Sequence, residues 1–293
     1  MALSPQQIES VIHAASQKLA EYCMESDLHC TVTGVSGGLD SAVTLALSQK
    51  ASEWAYQKGY RLQTLGLILP CHSDPEDAVL AKKVIQAVGA QHLEIDLTGI
   101  FDAIESGVLR PVADELVDYH QEAHTSRYRT AQGNVKARLR MALGTYYVAN
   151  LVNGLVLSTD NYSEYWMGFW TLHGDVGDYG MIQELWKGDE LPLIAEALGI
   201  PAEVIQAAPK DGLGVLPGGD EAQLGAGYPV VDRVLLALMK QGIDLNGKLD
   251  QLDQLPEVVD VDTGLVRKIA ERALKNAFKR RNPFNLSRRE LGL

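Results

Sequence analysis

The residues best suited to chemistry come in one short run, Ser36-Gly37-Gly38-Leu39-Asp40-Ser41, directly behind the apolar stretch 30–35. Adjacent glycines let a backbone approach a ligand with no Cβ in the way, and Ser36 and Ser41 add hydroxyls to the free N–H groups of a helix start. Such a turn is a cradle for phosphate. Asp40 is an anion beside that anion site, which makes sense with a divalent cation between them, because Mg²⁺ is held by one or two carboxylates plus phosphate oxygens. The run lacks the Gly-Lys-Ser/Thr ending of a Walker A loop, so the kinase or GTPase reading fails. A plain strand-to-helix turn would account for the backbone, but such turns seldom need two hydroxyls, two glycines and a carboxylate together.

Further charged residues lie downstream. On a helix starting near Asn134, Asn134 and Arg138 share one face while Lys136 and Arg140 share another, so all four cannot serve one ligand. Glu164 is a reasonable second carboxylate for a metal held by Asp40, although a Glu at a helix start also suits the helix dipole. Asp175 and Asp178 stand among glycines, where carboxylates serve as caps or as ligand contacts. Lys187 follows the run 181–186 and either snorkels or reaches a phosphate. His120 and His124 stand four apart, but Gln121 replaces the Glu of HExxH, which removes the zincin reading; Gly34-Val35-Ser36-Gly37-Gly38 fits the letters of Gly-x-Ser-x-Gly, and the phosphate-cradle reading accounts for the same residues.

The elements that position these groups follow from hydrophobic patterning. Residues 5–24 repeat apolar positions at helical spacing. Short strands are expected at 30–35, 65–69, 92–95 and 155–157, with helices at 42–56, 75–88 and 134–150 between them. This is the pattern of βαβ units around a parallel sheet, in which ligands gather beyond the carboxyl ends of the strands. Residues 36–41, 70–74 and 158–164 are therefore expected to line one crevice. Beyond Gly168 glycine and acid dominate, then a helix runs to 198, and 209–227 is expected to be a mobile loop. The stretch 228–279 is expected to be helical with a break around 242–256. No internal repeat or clear linker divides the 293 residues, so one domain over 1–293 is expected.

A net charge of −12 argues against a general nucleic-acid or membrane-surface binder. The dense basic cluster, Lys279, Arg280, Arg281, Arg288 and Arg289, reads as a solvated tail. Three cysteines at no ligand-like spacing indicate neither a disulfide framework nor a zinc site, and the N-terminus carries no signal-length apolar stretch. A soluble cytoplasmic protein is the expectation.

Taken together, these segments resemble the ammonia-dependent NAD synthetases of the ATP-pyrophosphatase (PP-loop) group. The SGGxDS loop fits the whole group. Gly133-Asn134-Val135-Lys136-Ala137-Arg138-Leu139-Arg140-Met141 narrows it, being similar to the family's GNVKARxRM. Residues 158–164 are similar to GTxNxSE, Gly174-Asp175-Val176-Gly177-Asp178 with Lys187 downstream matches another element, and Asp220-Glu221, Leu224-Gly225 and Tyr228 resemble DExxLGxxY.

The resemblance implies an α/β fold of the adenine-nucleotide alpha-hydrolase type, a doubly wound parallel sheet flanked by helices with a helical C-terminal segment. It implies an amide-forming ligase in which deamido-NAD attacks ATP, pyrophosphate leaves, and ammonia displaces AMP from an acyl adenylate. By motif match, Gly34, Val35, Ser36, Gly37, Gly38, Leu39, Asp40, Ser41, Thr159 and Lys187 would bind ATP, and Asp40 and Glu164 would hold Mg²⁺. Asn134, Arg138, Asp178 and Lys279 would bind deamido-NAD, with Asp40 and Asp175 at the reacting groups. A homodimer is implied, and the residues before the loop leave no room for a nitrilase-type glutaminase domain, so ammonia is expected free or from a separate glutaminase. Four positions depart from the family: Leu172 replaces a lysine, Lys210 a Ser or Thr, Phe278 a histidine and Ser158 a glycine. Lys210 is expected to offer ATP a phosphate-binding charge of its own. The altered acceptor positions keep two other readings open, an ATP-pyrophosphatase that adenylates a different acceptor and a nucleotide-binding homologue without turnover.

Overall fold

The computed structural model describes residues 3–210, 212–213, 218–247, 252 and 255–293. Helix α1 (Pro5–Glu25) starts at a capping box in which Ser4 and Gln7 satisfy each other's backbone N–H groups. It leads to β1 (Cys30–Gly34), α2 (Leu39–Gln57), β2 (Gln63–Ile68), α3 (Pro75–Val88) and β3 (Gln91–Glu94). Asp74 caps α3 with Pro75 in its first turn, and Gly89 ends it in the left-handed conformation. After two long helical passages come β4 (Gly154–Ser158) and the short β5 (Tyr179–Gly180).

The five strands run parallel in the order β3-β2-β1-β4-β5. Connections leave β1 toward β2 on one side and reach β4 on the other, so the order reverses between β1 and β4. That switch point is where a doubly wound sheet opens a crevice at its carboxyl edge. One sheet face packs on α1, α2 and α3, where Val43, Leu47, Val84 and Ile85 are buried. Thr31 pins this face to α2 through its hydroxyl, 2.5 Å from Ser48 Oγ. The other face, with Val32, Leu67 and Val156, packs on Phe101 and Val148. A separate apolar cluster unites helices Tyr228–Lys240 and Thr263–Lys275 with Met167 and Trp186.

Several expectations need correcting. The helix expected at 134–150 starts at Glu122, and its course to Leu151 passes through a wider π-helical stretch, Arg140–Tyr146. A second passage of this kind, Thr98–Ile104 through Glu105–Leu109 to Arg110–Leu116, was not expected at all. Within the expected loop 209–227, Gly219–Leu224 is helical with Asp220 buried, while 211 and 214–217 lie outside the described residues. The basic cluster is only partly a solvated tail. Lys279 donates to the carbonyls of Gly168 and Trp170, and Arg280 donates to those of Trp166, Leu245 and Ala273. Among the described residues no helix is long and apolar enough to cross a membrane.

Candidate active site at the switch point

Beyond the ends of β1 and β4 lies a cavity of about 490 Å³, within the size range of small-molecule sites. Its floor is the glycine loop. Ser41 Oγ, at the start of α2, accepts the Ser36 N–H at 3.2 Å and stands 3.1 Å from Ser36 Oγ, so the two hydroxyls tie the loop into a closed turn. Gly37 has φ +84, and a Cβ there would fall 2.5 Å from the carbonyl oxygen of Asp77 in α3. Only glycine allows the loop to lie this close to that helix.

Across the floor stands a buried charge cluster. Lys187 Nζ lies 2.8 Å from Asp40 Oδ2, 2.8 Å from Glu164 Oε1 and 3.6 Å from Asp220 Oδ2. The Tyr228 ring sits under the ammonium at 4.3 Å, and its hydroxyl, with one proton to share between them, lies 3.0 Å from Glu164 Oε1 and 2.8 Å from Asp220 Oδ2. Asn161 joins the parts: its Oδ1 caps the helix Tyr162–Met167 at the Glu164 N–H, and its Nδ2 donates to Asp40 at 2.9 Å. Burial pulls the Lys187 ammonium toward neutrality, but the three carboxylates together hold its proton more firmly than usual. Glu164 is pushed up to about 7 by burial, against the pull of Lys187 and with the push of Asp40 and Asp220. One ammonium shared among three carboxylates does not neutralise them.

Asp160, buried beside this cluster, takes a hydrogen bond from Ser158 Oγ at 3.0 Å. Burial and the neighbouring Asp175, Glu164 and Asp40 hold its carboxyl well above the usual range. Ser158, where the resembled family has glycine, thus supplies a donor that a glycine would lack. Asp175 accepts the Thr171 N–H at 2.7 Å. Lys210 closes the far side, 2.7 Å from Asp77 Oδ1 and 3.3 Å from Asp74 Oδ2.

The structure gathers one half of the expected residues and not the other. All eleven expected at ATP (Gly34 to Ser41, Thr159, Lys187 and Lys210) line the cavity, as do Glu164 and Asp175. The four expected at the dinucleotide do not line it. Asn134 accepts the Thr171 hydroxyl, Arg138 donates to the Leu172 carbonyl, and Asp178 accepts the Tyr146 hydroxyl at 2.6 Å. Lys279 holds the carbonyls of Gly168 and Trp170. Of the two helix pairs only Arg140 lines the crevice, bridging Leu69 O, Ser73 Oγ and Gly212 O, while Lys136, outside it, donates to the Leu213 carbonyl. The patterning reading gave no role to Asn161, Asp160 or Tyr228, though all three stand inside the quoted motifs.

A family model described as NAD synthase matches residues 11–283. The NH(3)-dependent NAD(+) synthetase of Methanocaldococcus jannaschii is 30% identical over 282 residues, covering 94% of this chain and 96% of that protein. Among solved structures, NMN synthetase from Francisella tularensis superposes with a TM-score of 0.71 at 24% identity, covering 96% and 98% of the two chains. NAD+ synthetase from Burkholderia pseudomallei superposes at 0.68 and 25% identity, covering 94% and 91%. With the glycine loop, the switch-point cavity and a match over nearly its whole length, the chain belongs to the NAD synthase family.

Proposed function

We propose that the protein forms NAD by amidating deamido-NAD in two steps at this cavity. First, a carboxylate oxygen of the nicotinate attacks the α-phosphorus of ATP, the bond to the β-phosphate oxygen breaks, and pyrophosphate leaves an acyl adenylate behind. Ammonia then attacks the acyl carbon, the bond to AMP breaks, and a proton passes to solvent. Family membership supports ATP-dependent NAD formation, and the model spanning residues 11–283 supports one catalytic unit. The adenylate and the division of labour are what the family resemblance implies, placed on the residues that line this cavity.

The observation that carries the reading is the convergence of residues 34–41, Thr159, Lys187 and Lys210 on one cavity at the switch point. In this reading the loop N–H groups and the Ser36 and Ser41 hydroxyls cradle the pyrophosphate, and Lys187 presents charge to it, a catalysis by positioning and fixed electrostatics. Asp175 lies near the acyl carbon. Charge supports Mg²⁺ here, because Asp40, Glu164 and Asp220 outnumber the single ammonium they share, though among the described residues no three such side chains stand together as a metal site. Asp40 and Glu164 would hold it, and once bound it would offset charge gathering on the departing pyrophosphate.

The nitrogen donor is ammonia, free or delivered by a separate glutaminase, and the compartment is the cytoplasm. A homodimer is supported by exposed apolar rows on the two long helical passages: Val108, Val112 and Leu116, then Leu143, Tyr147 and Leu151.

Incubation with ATP, Mg²⁺, ammonium and carboxyl-¹⁸O deamido-NAD should give NAD, pyrophosphate and AMP carrying one ¹⁸O. Formation of ADP and phosphate, or NAD with unlabelled AMP, would overturn the adenylate. A second reading, adenylation of a different acid, is favoured by one observation: Asn134, Arg138, Asp178 and Lys279 are all engaged with protein groups away from the cavity. Running the same assay with nicotinic acid mononucleotide separates the two, because AMP formed with that acceptor and not with deamido-NAD selects the second. ATP binding without pyrophosphate release from either acceptor would mark a homologue without turnover.

A further inference from the structure

The helix Tyr228–Lys240 buries an apolar stripe, Val231, Val234, Leu235 and Leu238, against the C-terminal cluster. Asp232 interrupts it, 1% exposed. A carboxyl in such surroundings is costly unless it is hydrogen-bonded to something that needs it. Asp232 Oδ2 accepts the backbone N–H of Gly188 at 2.8 Å. Ser163, whose hydroxyl lowers the pKa of the Asp232 carboxyl against the push of burial, accepts the Lys187 N–H at 3.0 Å, while Asp232 Oδ1 has no hydrogen-bond partner among the described residues. The peptides on both sides of the Lys187 Cα are therefore fixed. Gly188 is required by the same contact, since a Cβ there would lie 2.7 Å from Asp232 Oδ2 and 2.7 Å from Pro229. One helical turn before Asp232, Tyr228 supports the Lys187 ammonium from below. A single helix thus holds Lys187 at both ends, by backbone and by ammonium.

We propose that Asp232 is a positioning residue for the nucleotide site: it fixes the Lys187–Gly188 peptide and so aims the Lys187 ammonium at the glycine loop. The proposal rests on the reading of the cavity as the ATP site. The helix 228–240 belongs to a different apolar cluster from the sheet, so Asp232, with Tyr228, is where the C-terminal layer bears on that site.

The test compares Asp232→Ala, Asp232→Asn and Val231→Ala in the full chain, reading melting temperature, calorimetric affinity for a non-hydrolysable ATP analogue, and the KM of the acceptor. Val231 is a buried neighbour on the same helix with no polar contact to the site. Losing a buried hydrogen-bond acceptor of this kind should weaken analogue binding by Asp232→Ala about tenfold or more. The acceptor KM should stay unchanged. Asp232→Asn, which keeps an acceptor oxygen, should restore most of the affinity, and Val231→Ala should lower the melting temperature while binding the analogue as the parent does. Parent-like binding by Asp232→Ala, no rescue by Asn, or an equal loss in Val231→Ala would overturn the proposal. If Asp232→Ala does not fold, the Asn and Val231 variants decide alone: parent-like binding in both supports the proposal, and a loss in Asn or in Val231→Ala overturns it. A parent that fails to bind the analogue sinks the ATP-site reading, and the proposal with it, whereas the other failures leave that reading standing.

Discussion

Glu164 stands where stability and chemistry pull in opposite directions. Its carboxyl is pushed up to about 7 from an ordinary 4.5, first by burial, because Lys187 must also serve Asp40 and Asp220. A folded-state value above the unfolded one means the stabilising form is the protonated one. That stability is complete below pH 4.5 and is lost as pH rises through about 7. The shift corresponds to about 3 kcal/mol held against the fold at pH 8. Glu164→Gln, which resembles the protonated group, should therefore melt above the parent at pH 8 without nucleotide or divalent cation, and the gap should shrink toward pH 5. The same variant should lose about a hundredfold or more in kcat, because it removes one of the two carboxylates that would hold the Mg²⁺ offsetting charge on the departing pyrophosphate. A variant melting below the parent at pH 8 would show that the cluster is held together by Glu164 rather than strained by it. Ser158 acts more gently: Ser158→Gly removes the donor to Asp160 and should cost about 1 kcal/mol in a melting experiment, the usual worth of one hydrogen bond.

At the scale of elements, the glycine loop works because β1, α2 and α3 converge on it. Gly37→Ala would demand φ +84 of an alanine and press its Cβ against the Asp77 carbonyl at 2.5 Å. Neither backbone can yield without moving α3, so a loss of about 1–3 kcal/mol is expected in denaturant titration, with ATP binding falling far more than acceptor binding. This half of the site was legible in the sequence because its signals are local: a glycine pair, two hydroxyls and a carboxylate behind a short apolar strand, with βα alternation placing 70–74 and 158–164 at the same edge. The protein partners of the four residues expected at the dinucleotide were not. Arg138 reaches the carbonyl of Leu172 and Lys279 those of Gly168 and Trp170, and a partner that is backbone leaves no residue type to read. Arg280 hid in the same way, its carbonyl partners making a solvated-looking cluster structural. The passage 98–116 escaped because exposed Val108, Val112 and Leu116 interleave with its buried Phe101 and Ala113, so no single apolar stripe marks its core face.

For the whole molecule, those exposed rows and the net charge of −12 bear on the proposed dimer together. Leu143, Tyr147 and Leu151 follow one another at four-residue intervals near the end of the second helical passage, with Tyr147 59% and Leu151 67% exposed. Apolar surface of this kind gains by being covered, while two chains of the same net charge repel over the Debye length, about 30 Å at 0.01 M ionic strength and 8 Å at 0.15 M. Association should therefore tighten as salt is added over this range, the reverse of an interface held by ion pairs. Light scattering at micromolar protein should give twice 31.9 kDa at 0.15 M and a smaller average mass at 0.01 M. Tyr147→Glu with Leu151→Arg should give the single-chain mass at both salts with little change in melting temperature, since neither side chain is part of the core. Arg138 is exposed on the same continuous helical passage, within a few turns of the row. Separating the chains should then raise the KM of the acceptor and leave the affinity for ATP near that of the parent, because the glycine loop lies at the sheet edge, inside one chain. A parent that scatters as a single chain at 0.15 M, or a separated variant that loses ATP and acceptor equally, would show that the acceptor half is completed within one chain.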